Sequence, residues 1–217
     1  MNKVIYCLLL LALVSCNNAE NGEKDDQNTS SDTTPLKAPK AFKILEASDV
    51  DLSKISYEGE IVMKRFWQDA NGENIVLFTK QEDKTKGEAD IFVYHQAINE
   101  GNIKSLQDLK ESVKDCADAD LFLDFDERAI IISDLDDNGF GEITFAYSAA
   151  CVTDVSPHDL SLHLFENGRD YSLIGYTEVK VSVDDSVGGA ITSTQFDEAS
   201  PSFLPHANKI WERIKKQ

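Results

Sequence analysis

Positive charge is scarce in this chain: 21 Lys and Arg stand against 39 Asp and Glu, a formal net charge of -18. So acidic a surface repels phosphate backbones and anionic headgroups, which argues against nucleic acid and leaves cations, neutral molecules and metal ions as partners. Long apolar runs are also missing. The longest, Val4 to Val14, is roughly half of the ~20 residues that a membrane-crossing helix needs. Local catalytic signatures are absent: G-x-S-x-G, H-E-x-x-H, G-x-x-x-x-G-K and G-x-G-x-x-G do not occur. With them go the familiar routes to nucleophilic hydrolysis, zinc peptidase chemistry and nucleotide binding. Enzymatic activity is therefore not expected, and no catalytic residue is assigned. Histidine is rare too. His95 and His206 stand alone, and His158 and His163, five apart in a strand-like stretch, point to opposite faces. Asp124 and Asp126 share a strand face, as paired glycosidase acids do; in a chain with 39 acidic residues such a pair also arises by chance.

The beginning of the chain has a definite plan. Met1-Asn2-Lys3, the apolar run to Val14 and the small residue Ser15 before Cys16 form the charged, apolar and cleavage regions of an export signal. Residues 17–40 are rich in Asn, Asp, Glu, Ser, Thr and Lys, with Pro35 and Pro39. That composition cannot bury enough apolar surface to offset the entropy of ordering, so residues 16–40 are expected to form a disordered tether. Leu13-Val14-Ser15-Cys16 resembles the lipobox of bacterial lipoproteins. The resemblance implies a signal peptide over residues 1–15 and a Cys16 that carries acyl chains, palmitate among them. Each buried CH₂ adds about 0.8 kcal/mol, so several chains make a lasting anchor. Lys24-Asp25-Asp26 resembles the export signals of Bacteroidetes surface lipoproteins, which leaves two orientations, cell surface and periplasm-facing, in the outer membrane.

Cysteine is limited to four residues. The lipobox resemblance implies that Cys7 leaves with the signal and that Cys16 takes the lipid. Cys116 and Cys151 remain, and in an oxidising compartment they are expected to pair; two free buried thiols are the alternative.

Residues 41–217 have the length of one ordinary domain. Runs of β-branched and aromatic residues, at Glu60 to Trp67, Asn74 to Thr79 and Asp90 to His95, predict strands, with Asp69 to Glu73 as a hairpin turn. Ser105 to Val113 switches to helical spacing, with Leu106, Leu109 and Val113 on one side, and predicts an internal helix. Six more strands are predicted between Leu121 and Val183. Leu204 to Lys216, with Ile210, Trp211 and Ile214 in a stripe, predicts a closing helix. The expected fold class is α+β, a mostly antiparallel sheet domain with one internal and one C-terminal helix. Barrel, sandwich and open sheet stay open at this point.

One segment carries chemistry. Asp134-Leu135-Asp136-Asp137-Asn138-Gly139-Phe140-Gly141-Glu142 offers side-chain oxygens from Asp134, Asp136, Asn138 and Glu142, and the carbonyl of Phe140, at alternate positions. A hard cation needs six to eight oxygens at about 2.3–2.6 Å, and a winding loop with a glycine at its turn supplies them. The segment resembles the D-x-D-x-N-G calcium loops of EF-hands, dockerins and integrin-type propellers. It departs from the EF-hand where Phe145 replaces the bidentate Glu, and its flanks predict strands. A structural calcium is one reading; an acidic hairpin turn without metal is the other.

Taken with W-x-D-x-N-G-E-N at Trp67 to Asn74 and the stretch Cys151 to Pro157, these features resemble small Bacteroidetes lipoproteins, some labelled surface polysaccharide biosynthesis proteins. Three expectations follow: a noncatalytic, calcium-braced binding or scaffold module for an envelope glycan or protein; an accessory factor in surface polysaccharide or lipopolysaccharide biosynthesis; or a hydrolase with an unfamiliar carboxylate site.

Overall fold

The computed structural model describes residues 41–46, 48 and 51–216. The chain divides into two units, residues 1–37 and 38–217, and the described residues all belong to the second. The expected signal peptide, Cys16 and the expected tether lie outside them. Among the described residues, no helix is long and apolar enough to cross a membrane.

The first sheet is an antiparallel meander of β1 (Lys43–Leu45), β2 (Glu60–Asp69), β3 (Gly72–Asp83), β4 (Glu88–Asn99) and β5 (Asn102–Val113), in that spatial order. The second contains β6 (Asp120–Phe125), β7 (Ile131–Ser133), β8 (Glu142–Val152), β9 (Asp159–Glu166), β10 (Arg169–Tyr176) and β13 (Ile191–Gln195). Its order is β13-β10-β9-β8-β6, with β7 also on β8. A small ribbon pairs β11 (Glu178–Lys180) with β12 (Ser186–Gly188), and α1 (Phe203–Ile214) ends the chain. The expected mostly antiparallel sheet with a C-terminal helix is what the chain forms.

The two sheets pack face to face. Trp67, Val76, Phe78, Ile91 and Val93 of the first meet Leu123, Ile143, Phe145, Tyr147 and Phe165 of the second. The other face of the second sheet receives α1, where Ala207, Ile210, Trp211 and Ile214 cover Ala146, Leu160, Leu162 and Leu173. Strands covered on both faces need apolar residues at consecutive positions. Ile75-Val76-Leu77-Phe78 in β3 meets that need, with every one of its residues fully buried.

The internal helix expected at Ser105 to Val113 is a correction: this segment is strand β5. Its helical spacing is local, whereas pairing with β4 runs from Asn102 opposite Asn99 to Val113 opposite Ala89. That ladder satisfies the backbone while Leu109 and Val113 pack on the inter-sheet core, so tertiary pairing overrides local propensity. The segment at Ala129 also differs from the expected strand, being a short 3-10 turn, Glu127–Ala129, before β7.

Cys116 and Cys151 form the expected disulfide, with Cα atoms 5.6 Å apart across a sequence separation of 35. Closing a loop of that length stabilises the fold by about 3–4 kcal/mol on the chain-entropy estimate.

His95 lies in this core, 1% exposed. Its Nε2–H donates to Asn74 Oδ1 at 3.0 Å, and its ring sits 5.0 Å from that of Trp67. Burial pushes its pKa down to about 3. The unfolded chain therefore takes up this proton near its ordinary pKa, and stability is lost as pH falls from about 6.5 towards 3, by up to about 1.4 kcal/mol per unit. Unfolding free energies from urea titration at about pH 7 and pH 5 are expected to differ by about 2 kcal/mol more in the parent than in a His95→Gln variant. Equal differences would remove His95 from the acid response.

Candidate metal centre

The loop over residues 134–141 joins the end of β7 to the start of β8, where Ser133 pairs with Glu142. Its winding comes from side chains that accept backbone N–H groups further along the loop. Asp136 Oδ1 accepts from Asn138 N at 3.2 Å, and Asn138 Oδ1 from Phe140 N at 2.8 Å. Asp134 accepts from the N–H groups of Gly139 and Asn138. Asp137 and Gly139 hold positive φ, 55° and 83°, which turns the chain sharply enough for successive acids to face inward. Gly141 is needed for a different reason: a Cβ there would lie 2.5 Å from the Nε1 of Trp67.

One oxygen each from Asp134, Asp136 and Glu142 lies within 4.8 Å of the others. Oxygens that share one calcium at about 2.3–2.6 Å lie no more than about 5 Å apart, so the spacing fits. Glu142 is completely buried. Its Oε2 accepts from Leu135 N at 2.9 Å and Ser133 Oγ at 3.1 Å, while its Oε1 and Oδ1 of Asp134 have no hydrogen-bond partner. Burial pushes the Glu142 carboxyl up to about 8, against the bonds from Leu135 and Ser133, with Asp136 and Glu166 adding repulsion. Asp134 is raised as well, first by burial. Two buried carboxyl oxygens without a donor are costly in a protein interior, and a bound cation offsets that cost.

Of the residues expected at the site, Asp134, Asp136 and Glu142 are brought together. Asn138 stands beside them, its Nδ2 donating to Asp136 Oδ2 at 3.1 Å and to Glu166 Oε1 at 2.6 Å. Phe140 contributes the backbone N–H that closes on Asn138. Glu166 was not foreseen. It lies directly opposite Glu142 in the β8–β9 register, is 9% exposed, and is raised by burial and by Asp136 and Asp134, against its bond from Asn138. No local motif marks it; only the strand pairing brings it to the loop.

The Trp67 to Asn74 motif serves the same corner. Asp69, 1% exposed, accepts from Trp67 Nε1 at 2.9 Å, Asn71 N at 2.7 Å and Gly141 N at 2.9 Å. Ala70 N donates to Gly139 O at 2.9 Å. The β2–β3 turn of the first sheet is thereby fastened to the acidic loop of the second.

The other residues singled out in the sequence have structural partners. Asp124 pairs with Lys80 at 2.7 Å and Asp126 with Arg128 at 2.6 Å, and both carboxylates line a cleft of about 320 Å³ together with Arg128 and His158. His206 meets Thr144 Oγ1 at 3.1 Å, and His158 lies against the Phe122 ring at 4.8 Å. Comparison of the chain with family models, curated proteins and solved structures returned no match.

Proposed function

We propose that this chain is a noncatalytic cell-envelope lipoprotein, anchored to the outer membrane through Cys16, whose folded part is a calcium-braced binding or scaffold module. The observation that carries the calcium reading is Glu142, a fully buried carboxyl with an unpartnered oxygen facing two aspartates. Asp134, Asp136 and Glu142 would hold the ion, with Asn138 and the carbonyl of Phe140 as the further protein oxygens. The ion supplies charge neutralisation and fixes the loop against the β2–β3 turn. Its role is structural, and affinities of extracellular calcium modules, on the order of 10⁻⁴ to 10⁻³ M, suit that role. An envelope glycan or protein is the partner such a scaffold would present itself to.

Calorimetric titration of calcium into the parent chain and into an Asp134→Ala, Asp136→Ala variant tests this. Saturable heat in the parent and none in the variant is expected; equal heats would dismiss the loop as a metal site. Glu166 has a separate role, holding the Asn138 amide through Nδ2 while Oδ1 accepts from Phe140 N. Partners of this outer kind typically alter metal affinity by about 10–100-fold, so Glu166→Gln is expected to weaken calcium about tenfold in the same titration. An unchanged affinity would make Glu166 a bystander. Acylation is read by palmitate labelling, which Cys16→Ser is expected to abolish.

A further inference from the structure

The first sheet stops at β5, whereas the second continues with β10 and β13. Next to the β5 edge the inner face of β8, β9 and β10 forms the floor of a cleft of about 510 Å³. Glu111 to Lys114 make its wall; Tyr147, Ala149, Asp159, Ser161, His163 and Ile174 are on its floor. It shares no residue with the acidic loop.

The hydrogen-bond inventory of this cleft is one-sided. Tyr147 donates to Glu111 Oε2 at 3.2 Å, and Ser112 N donates to Glu111 Oε1 at 2.9 Å. The Ser112 hydroxyl is committed to Asp90. His163 Nδ1 meets Asp170 at 2.9 Å, and its Nε2 has no partner. These donors are engaged inside the wall and floor. What remains are acceptors: the outer lone pairs of Glu111 and the Asp159 carboxylate, which makes no hydrogen bond or ion pair among the described residues. Lys114, exposed at the rim, is the one cation lining the cleft. Val113, Ala149 and Ile174 provide apolar surface between the acids.

A ligand here must bring donors and positive charge, on a stem that tolerates apolar contact. We propose that the cleft binds a protonated alkylamine, its ammonium between Glu111 and Asp159 and its methylenes along Val113, Ala149 and Ile174. Carboxylates on an acidic protein attract such a cation and repel anions, and an ammonium has donors with no acceptor. The amine can arrive free, as a short diamine, or as a lysine side chain of a peptide; the chemistry is shared.

The test is calorimetric titration of the full chain, held at saturating calcium, with putrescine, with a lysine tripeptide capped at both ends, and with butane-1,4-diol as the uncharged analogue. Saturable, salt-sensitive binding of putrescine, none of the diol, and at least about tenfold weakening in both Glu111→Gln and Asp159→Asn are expected. Asp159→Asn breaks no hydrogen bond, so its loss of binding reports the cleft rather than the fold. Binding of the tripeptide but not of putrescine would assign the amine to a protein partner. Diol binding equal to diamine binding, heats unchanged in Asp159→Asn, or no heat from either amine would overturn the proposal. The calcium reading is untouched by any of these outcomes, because its own heats are measured separately.

Discussion

Saturating calcium is expected to raise the melting temperature of the parent chain and to leave a Glu142→Gln variant unmoved. A ligand that binds only the folded state stabilises it by about 2.7 kcal/mol at a hundredfold excess over its dissociation constant. For a domain of this size that corresponds to about 5–10 °C. The variant isolates the ion from the fold. A glutamine carbonyl can keep the bonds that Glu142 Oε2 accepts from Leu135 N and Ser133 Oγ, while the buried acid facing Asp134 and Asp136 is gone. Without calcium, Glu142→Gln is therefore expected to melt at or above the parent, and with calcium well below it. A calcium response of equal size in both would place the ion elsewhere.

Asp69→Ala is expected to destabilise the fold by about 3–5 kcal/mol, read from the urea midpoint at constant slope. The alanine strands two buried donors, the Trp67 indole N–H and the Gly141 N–H, along with Asn71 N, and each buried unsatisfied group costs about 1–3 kcal/mol. The same change is expected to weaken calcium binding although Asp69 lies in the other sheet. Gly141 stands immediately before Glu142, so releasing its N–H loosens the end of the loop that presents the buried carboxyl. Asp69→Asn retains one acceptor oxygen and is expected to lose less on both measures. A loss under about 1 kcal/mol for Asp69→Ala would mean that the turn and the loop are only neighbours.

Much of this architecture is legible in the residues. Strands such as Asn74 to Thr79 announce themselves because a position buried on both faces needs consecutive apolar side chains, and α1 because its stripe has one face to cover. The acidic loop is legible because alternate oxygens with a glycine at the turn are what winding around a cation requires. The Cys116–Cys151 bond is legible because residues 41–217 hold just these two cysteines. Other parts are decided by pairing. Ser105 to Val113 carries helical spacing and becomes β5 because β4 offers it a long ladder. Glu166 reaches the loop only through its register with Glu142. Asp69 reads as a turn residue, and its bond to Gly141 exists only once the two sheets face each other.

The most direct test of the calcium centre uses Trp67, whose Nε1 lies beside Gly141 at the edge of the loop. Terbium occupies calcium sites and emits when a nearby indole transfers excitation to it. Titrated into the full chain with excitation at the tryptophan band, terbium is expected to give saturable emission that calcium competes away. That emission should vanish in Glu142→Gln, and be lost in Trp67→Phe while calorimetric calcium binding persists. Emission that survives Glu142→Gln, or that calcium cannot displace, would contradict a calcium site in the loop from Asp134 to Glu142.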